Sequence, residues 1–222
     1  TIYRITPRQR WGAAVAVHEL GAGLAFVAAP LYAEAALRLA GWRAGTALLG
    51  GLSLAASAVY ALFGPPGDER GEAPGLDNLG IFRRDGAFWS IAVAFWLSAA
   101  LGVGGYSILP VFLASERGLE RAAVNLLLGA SRLTGLVAVF LAGVLADRLS
   151  QRLLIGLLVG GAGVLSVVLG IGHGALLVTG VFLLPLFTSC FFPVGFAALT
   201  RVGRPGLENV AVSLVVPLGY FL

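Results

Sequence analysis

Between Leu153 and Thr200 the chain carries no acidic residue and no arginine. A helix needs about 20 mostly apolar residues to cross a bilayer. Six runs meet that length: 11–37, 44–63, 87–113, 122–146, 153–171 and 174–200. Another begins near residue 209. The uncharged stretch is broken at Gly170-Ile171-Gly172-His173-Gly174, where three glycines predict a tight turn. Such a pattern constrains the chain to an all-α, polytopic transmembrane bundle, because only helices and closed barrels satisfy their backbone in lipid.

Composition agrees. Hydrophobic residues make up 58% and charged residues 12%, against about 25% charged in an ordinary soluble domain. In water such a chain exposes too much apolar surface, so lipid is its solvent. All fifteen basic residues are arginine, which reads as the coding bias of a GC-rich bacterial genome and places the protein in a bacterial inner membrane. No basic face exists outside short loops, so nucleic-acid binding is excluded. The single cysteine, Cys190, lies deep in an apolar run, which excludes an intrachain disulfide. No Cys/His cluster suggests a metal, and no cofactor is expected. There is no methionine, and the last residues, Tyr220-Phe221-Leu222, fall inside an apolar run. The chain therefore reads as an internal piece of a longer protein, without a visible signal peptide.

The 32 glycines are spread through the runs, as expected where helices approach closely without a water-driven force. Pro30, Pro110, Pro185, Pro193 and Pro217 fall inside runs. Each frees a backbone carbonyl that a neighbour must satisfy. Arginine placement sets the orientation. Alternate loops hold Arg4, Arg8 and Arg10, then Arg70, Arg83 and Arg84, then Arg148 and Arg152, then Arg201 and Arg204. The opposite loops hold only Arg38, Arg43, Arg117 and Arg121. The first set is cytoplasmic, and the N-terminal end lies inside. The polar Gly- and Pro-rich segment 64–86 reads as a cytoplasmic linker between two bundles.

The short loop Gly143-Val-Leu-Ala-Asp147-Arg148-Leu-Ser-Gln-Arg152 resembles a signature of the major facilitator superfamily: Gly, three residues, Asp, a basic residue, one residue, Gly, two basic residues. Gly143, Asp147, Arg148 and Arg152 match, while Ser150 and Gln151 depart from it. The family carries this motif between helices 2 and 3 and a weaker copy between helices 8 and 9; the imperfect match suits the second. Ile108-Leu-Pro110-Val-Phe-Leu113 is similar to the family's ending of helix 7, and Gly41-Trp42-Arg43 to the segment preceding helix 6. The resemblance implies part of a 12-helix fold of two six-helix bundles. Residues 1–63 then end the N-terminal bundle, 64–86 link, and 87–222 form the C-terminal bundle. It also implies alternating access, with Gly143, Asp147, Arg148 and Arg152 as a latch on the cytoplasmic gate; a plain topology anchor is the other reading. From the residues alone, Gly143 permits close packing, and Asp147 is expected at the N-terminal end of the following helix, where the dipole favours an anion. The family's antiporter pattern in helix 5 departs here: Gly12 and Gly21 keep its spacing, but Ala25-Phe26 stand where Gly-Pro belongs.

Arg132 lies inside a run, about 22 Å along the helix from Asp147. A guanidinium at that depth costs at least about 2.5–3.5 kcal/mol, so it must meet a partner or a wet cavity. Either it binds an anionic solute or it makes a structural ion pair. Glu19, beside His18, is a candidate proton carrier or else a satisfied polar pair near the cytoplasmic mouth. The resemblance implies that the helices bearing Glu19 and Arg132 face each other across the two halves, with the two residues differing in depth by roughly 10 Å. Glu34, near the outer end, is expected to be solvated at the interface. The resemblance also implies that helices 7 and 10 line the central cavity, which makes Tyr106, Ser107, Thr188, Ser189 and Cys190 lining candidates. The function implied is secondary active transport of a small solute, an organic anion by the tilt of Arg132. The partners are that solute, a proton and membrane lipid, and the monomer is the working unit. A membrane-embedded enzyme is disfavoured, because no nucleophile–base set or phosphate-binding loop occurs. A sensor that kept the fold stays open.

Overall fold

The computed structural model describes residues 6–64, 80, 82–202 and 208–219. Its elements are α1 (Trp11–Leu39), α2 (Gly41–Phe63), α3 (Gly86–Ser115), α4 (Arg121–Arg148), α5 (Gln151–Ile171), α6 (Gly174–Leu199) and α7 (Glu208–Gly219). No strand occurs among the described residues. The first six helices are long and apolar enough to cross a membrane. Most of the linker 64–86 falls outside the described residues.

Local chemistry sets the boundaries. Asp85 caps α3, its carboxylate accepting from the Ala87 and Phe88 amides at 2.9 and 3.1 Å. Only Ala40 separates α1 from α2. Gly41 takes φ +80°, a conformation that a side chain would oppose, and the chain reverses there without a loop. Gly41-Trp42-Arg43 therefore opens α2 instead of preceding it. One departure inside a helix has no counterpart in the hydropathy pattern: α3 winds as a π-helix from Ala100 to Gly105. A π-turn disturbs the regular carbonyl ladder and recurs at functional sites.

α1 runs along α4, the contact expected between those two spans, and α4 packs in turn on α6. Small residues let the backbones close up. A Cβ on Gly23 would lie 2.7 Å from Leu136, and one on Gly129 would lie 3.2 Å from Leu31. α3 packs against α6 and α7 through Phe95, Phe191, Leu199 and Val215. A second apolar cluster joins α3, α4 and α6 through Leu113, Val124 and Val181. α2 touches the rest through α1, with Tyr32 donating to the Gly45 carbonyl at 2.6 Å. Its outer surface is bare: Leu54, Leu62 and Phe63 are 75%, 76% and 81% exposed. An apolar face that large is stable only against lipid or other helices.

Candidate functional site

The site grows from a proline. Pro185 in α6 has no N–H, so the Val181 carbonyl one turn back loses its helical donor. Tyr106 of α3 donates its hydroxyl to that carbonyl at 3.1 Å. Thr134 of α4 donates to the neighbouring Phe182 carbonyl at 2.8 Å. Two helices thus satisfy the polar groups at the kink. Gly135 allows the approach: a Cβ there would lie 3.0 Å from both the Pro185 carbonyl and the Ser189 hydroxyl.

This framework holds Arg132. Its Cζ lies 3.6 Å from the centroid of the Tyr106 ring and 4.6 Å from that of Phe26 on α1. Its Nη2 donates to the Gly102 carbonyl at 3.1 Å, inside the π-helical segment of α3. The residue is 7% exposed. No carboxylate lies within ion-pair distance of it among the described residues. The charge is held by two rings and one carbonyl, the desolvated cation–π contacts contributing about 2 kcal/mol or more each, and no described carboxylate neutralises it. Among the described residues, the structural ion pair envisaged as the alternative is not formed.

Arg132 opens on a cavity of about 230 Å³ between α1, α3, α4 and α6. Glu19 lines the same cavity. Because Phe26 meets Arg132 and Gly23 faces Leu136, Glu19 sits about 10 Å further along the antiparallel pair. The two charges share one space without touching. Phe95, Phe192 and Phe196 form much of the wall, and Thr188 and Ser189 supply hydroxyls. The Thr188 hydroxyl is already spent on the Leu184 carbonyl at 3.1 Å.

The other sequence candidates fall elsewhere. Ser107 is exposed and donates back to the Val103 carbonyl at 2.8 Å, outside the cavity. Tyr106 does not line the cavity and acts on it through Arg132. Cys190 packs in the core with Ala142, Ala146 and Val194. His18 is exposed and points away from the cavity that its neighbour Glu19 lines, since successive helical residues face different directions.

In the polar loop, Gly143 is buried while Arg148 and Arg152 are exposed. Helix α4 runs on to Arg148, so Asp147 occupies its last turn instead of opening the next helix. The N-cap of α5 is Ser150. Apolar periodicity carried the fourth span to residue 146 and left the polar end of the helix unassigned. The Asp147 side chain lies outside the description.

Glu34 differs most from its expectation. It is not merely solvated. Arg38 donates to it at 2.7 Å, Arg121 at 3.2 and 3.4 Å, and Asn125 at 3.0 Å. It ties the C-terminal end of α1 to the first turns of α4. Arg38 stands four residues on and was legible as a helical pair; Arg121 and Asn125 depend on packing. Arg117 similarly clamps the turn between α5 and α6, reaching the His173 ring at 2.8 Å and the Gly170 carbonyl at 2.8 Å. Sequence reasoning also missed Phe26 and Gly102, whose only signal was the glycine-rich run from Gly102 to Gly105.

The model of the Major Facilitator Superfamily matches residues 1–222. No curated protein and no solved structure matches the chain. The family's members are transporters of small solutes, and six membrane-competent helices stand in the structure. The chain, an integral multi-pass membrane protein, thus belongs to the Major Facilitator Superfamily.

Proposed function

We propose that this chain is part of a secondary active transporter that moves a small organic anion across a bacterial inner membrane by alternating access, with Arg132 as the anion anchor. The observation that carries the reading is a buried guanidinium on a cavity with no carboxylate against it among the described residues. Burying an unpaired charge is expensive, and the expense is offset when a solute supplies the counter-charge.

Glu19 is the coupling group. The cavity lining holds one cation and one carboxylate among the described residues. An entering anion leaves an excess negative charge in a region of low dielectric, where charges interact strongly. A proton on Glu19 restores neutrality, so one proton accompanies each monoanion. The charged and titratable groups near Glu19 are His18 on its own helix and Arg132 from α4; α3, α6 and α7 add no acidic or basic residue to the lining. On this reading residues 1–63 and 87–222 belong to two bundles joined by segment 64–86, and the α1–α4 contact is the seam between them. Gly143, Asp147, Arg148 and Arg152 latch its cytoplasmic end, and the monomer, set in lipid, is the working unit.

Flux in proteoliposomes holding the full-length protein tests the proposal. Arg132→Gln is expected to lower uptake of organic anions at least tenfold while the protein stays folded. Glu19→Gln is expected to remove acceleration by an inward proton gradient while exchange of anion for anion persists. Wild-type uptake by Arg132→Gln overturns the anchor, and an intact gradient response in Glu19→Gln overturns the coupling.

A further inference from the structure

The site reads more finely than organic anion. We infer that the solute is a planar monocarboxylate with a compact, ring-like apolar body, seated with its carboxylate on Arg132 and its ring among Phe95, Phe192 and Phe196. This rests on Arg132 being the anion anchor.

Charge limits the anion first. Arg132 is the single cation among the described residues lining the cavity. A dicarboxylate or a phosphate ester brings a second negative charge into the space that Glu19 shares, with no second cation among the described lining residues to meet it. Leaving a buried charge unpaired is strongly unfavourable.

Shape limits it next. The Tyr106 ring lies 3.6 Å from Cζ, and Nη2 is engaged by the Gly102 carbonyl. The Tyr106 and Phe26 rings crowd Cζ at 3.6 and 4.6 Å, so a solute meets the guanidinium through its free N–H groups. A carboxylate matches the guanidinium plane with its two oxygens. A sulfonate or phosphate carries a third oxygen out of that plane, where the described lining offers only the Ser189 hydroxyl, the Thr188 hydrogen being already given to Leu184.

The body is then set by the walls. Phe95 meets Phe192 and Phe196 edge-on, with centroids 5.4 and 5.3 Å apart. Edge-to-face clusters accept a further aromatic ring in the same geometry. A sugar or polyol would lose its water hydrogen bonds against this wall and gain few in return. The volume of about 230 Å³ is far above the roughly 10–15 Å³ that admits a single water, and it accommodates a benzoate-sized anion. Phe192 and Phe196 follow Ser189 by about one and two turns of α6, on the side where Glu19 lies, so the ring fills the gap between the two charges.

Equilibrium binding of radiolabelled benzoate to the purified full-length protein in detergent tests this, with phthalate, benzenesulfonate, inorganic phosphate, acetate and glucose as competitors. Benzoate is expected to bind. Phthalate, phosphate and glucose are expected to compete at least tenfold more weakly than unlabelled benzoate, with benzenesulfonate and acetate in between. Phe196→Ala, a substitution at the cavity wall, is expected to weaken benzoate at least fivefold and acetate less than twofold. Arg132→Lys keeps the charge and loses the planar fork, and is expected to narrow the preference for benzoate over benzenesulfonate. Equal competition by phthalate or phosphate, with binding still abolished in Arg132→Gln, overturns the monocarboxylate class and leaves the anchor standing. Benzoate binding that survives Arg132→Gln overturns the anchor itself. A Phe196→Ala protein that loses acetate and benzoate alike overturns the ring site.

Discussion

The Tyr106 hydroxyl donates at 3.1 Å to the Val181 carbonyl, the acceptor that Pro185 deprives of a helical donor. The ring of the same tyrosine lies against Arg132. A single side chain therefore joins the kink of α6 to the charge on the cavity. Tyr106→Phe keeps the ring and removes the donor, and leaves a carbonyl unsatisfied in a dry interior. It is expected to destabilise the protein by about 1–3 kcal/mol and to slow turnover with little change in anion affinity. Pro185→Ala restores an N–H to Val181, so in the Tyr106→Phe background it is expected to recover most of that stability and to leave transport slow. Thermal unfolding of the four proteins in detergent, read as a double-mutant cycle, checks the coupling. Strictly additive effects would dismiss it.

The clasp around Glu34 concerns the opposite end of the same seam. Its carboxylate receives Arg121 and Asn125 across the α1–α4 contact. Glu34→Gln weakens this tie by removing the charge. Spin labels at the exposed positions Ala35 and Leu126 are expected to report one short distance in the parent protein and an added longer population in the variant. High salt is expected to move the parent in the same direction, since exposed ion pairs are screened. An unchanged distance distribution counts against a gating role for the clasp.

Glycines in these helices are not equivalent. Gly135 lies where a Cβ would meet the Pro185 carbonyl and the Ser189 hydroxyl at 3.0 Å, and a backbone carbonyl cannot step aside cheaply. Gly135→Val is expected to cost about 1–3 kcal/mol by overpacking. Gly156 in α5 has nothing within 4 Å of the same point. Gly156→Ala is expected to be neutral or to stabilise by up to about 1 kcal/mol, through helix propensity. Melting temperatures in detergent decide between the two, and equal losses would show that the α4–α6 approach is not what Gly135 permits.

Topology is open to direct measurement. Arg83 and Arg152 are exposed, and both belong to the arginine-rich set of loops. Cysteines placed there are expected to react with a membrane-impermeant maleimide only from the cytoplasmic side, with Arg117→Cys reacting only from outside. Labelling of residues 83 and 152 from opposite sides would undo the orientation and with it the assignment of the latch end.

The turn at Gly172-His173 and the kink-forming prolines could be read residue by residue, because each follows from a local rule. Pro185 announces that Val181 needs a donor, and nothing in α6 says that Tyr106, 75 residues away, provides it. Ser107 was as good a lining candidate as its neighbour until the π-turn and the packing of α3 turned its hydroxyl out to Val103. Asp147 was misplaced by a turn because periodicity fades where a helix leaves the apolar layer.

Apolar length alone determined that the chain is built to cross the membrane and how many spans the described residues hold, since lipid leaves a backbone almost no other way to satisfy itself, and arginine spacing gave the expectation of which loops share a side. Which side chains meet was decided by tertiary structure. Arg132 had to find something polar, yet only the close approach of α1, α3 and α4 set it against Phe26, Tyr106 and the Gly102 carbonyl, with no carboxylate beside it among the described residues. Packing of small residues between helices has no periodic signature, so the relation between distant side chains appears only when the helices are in place.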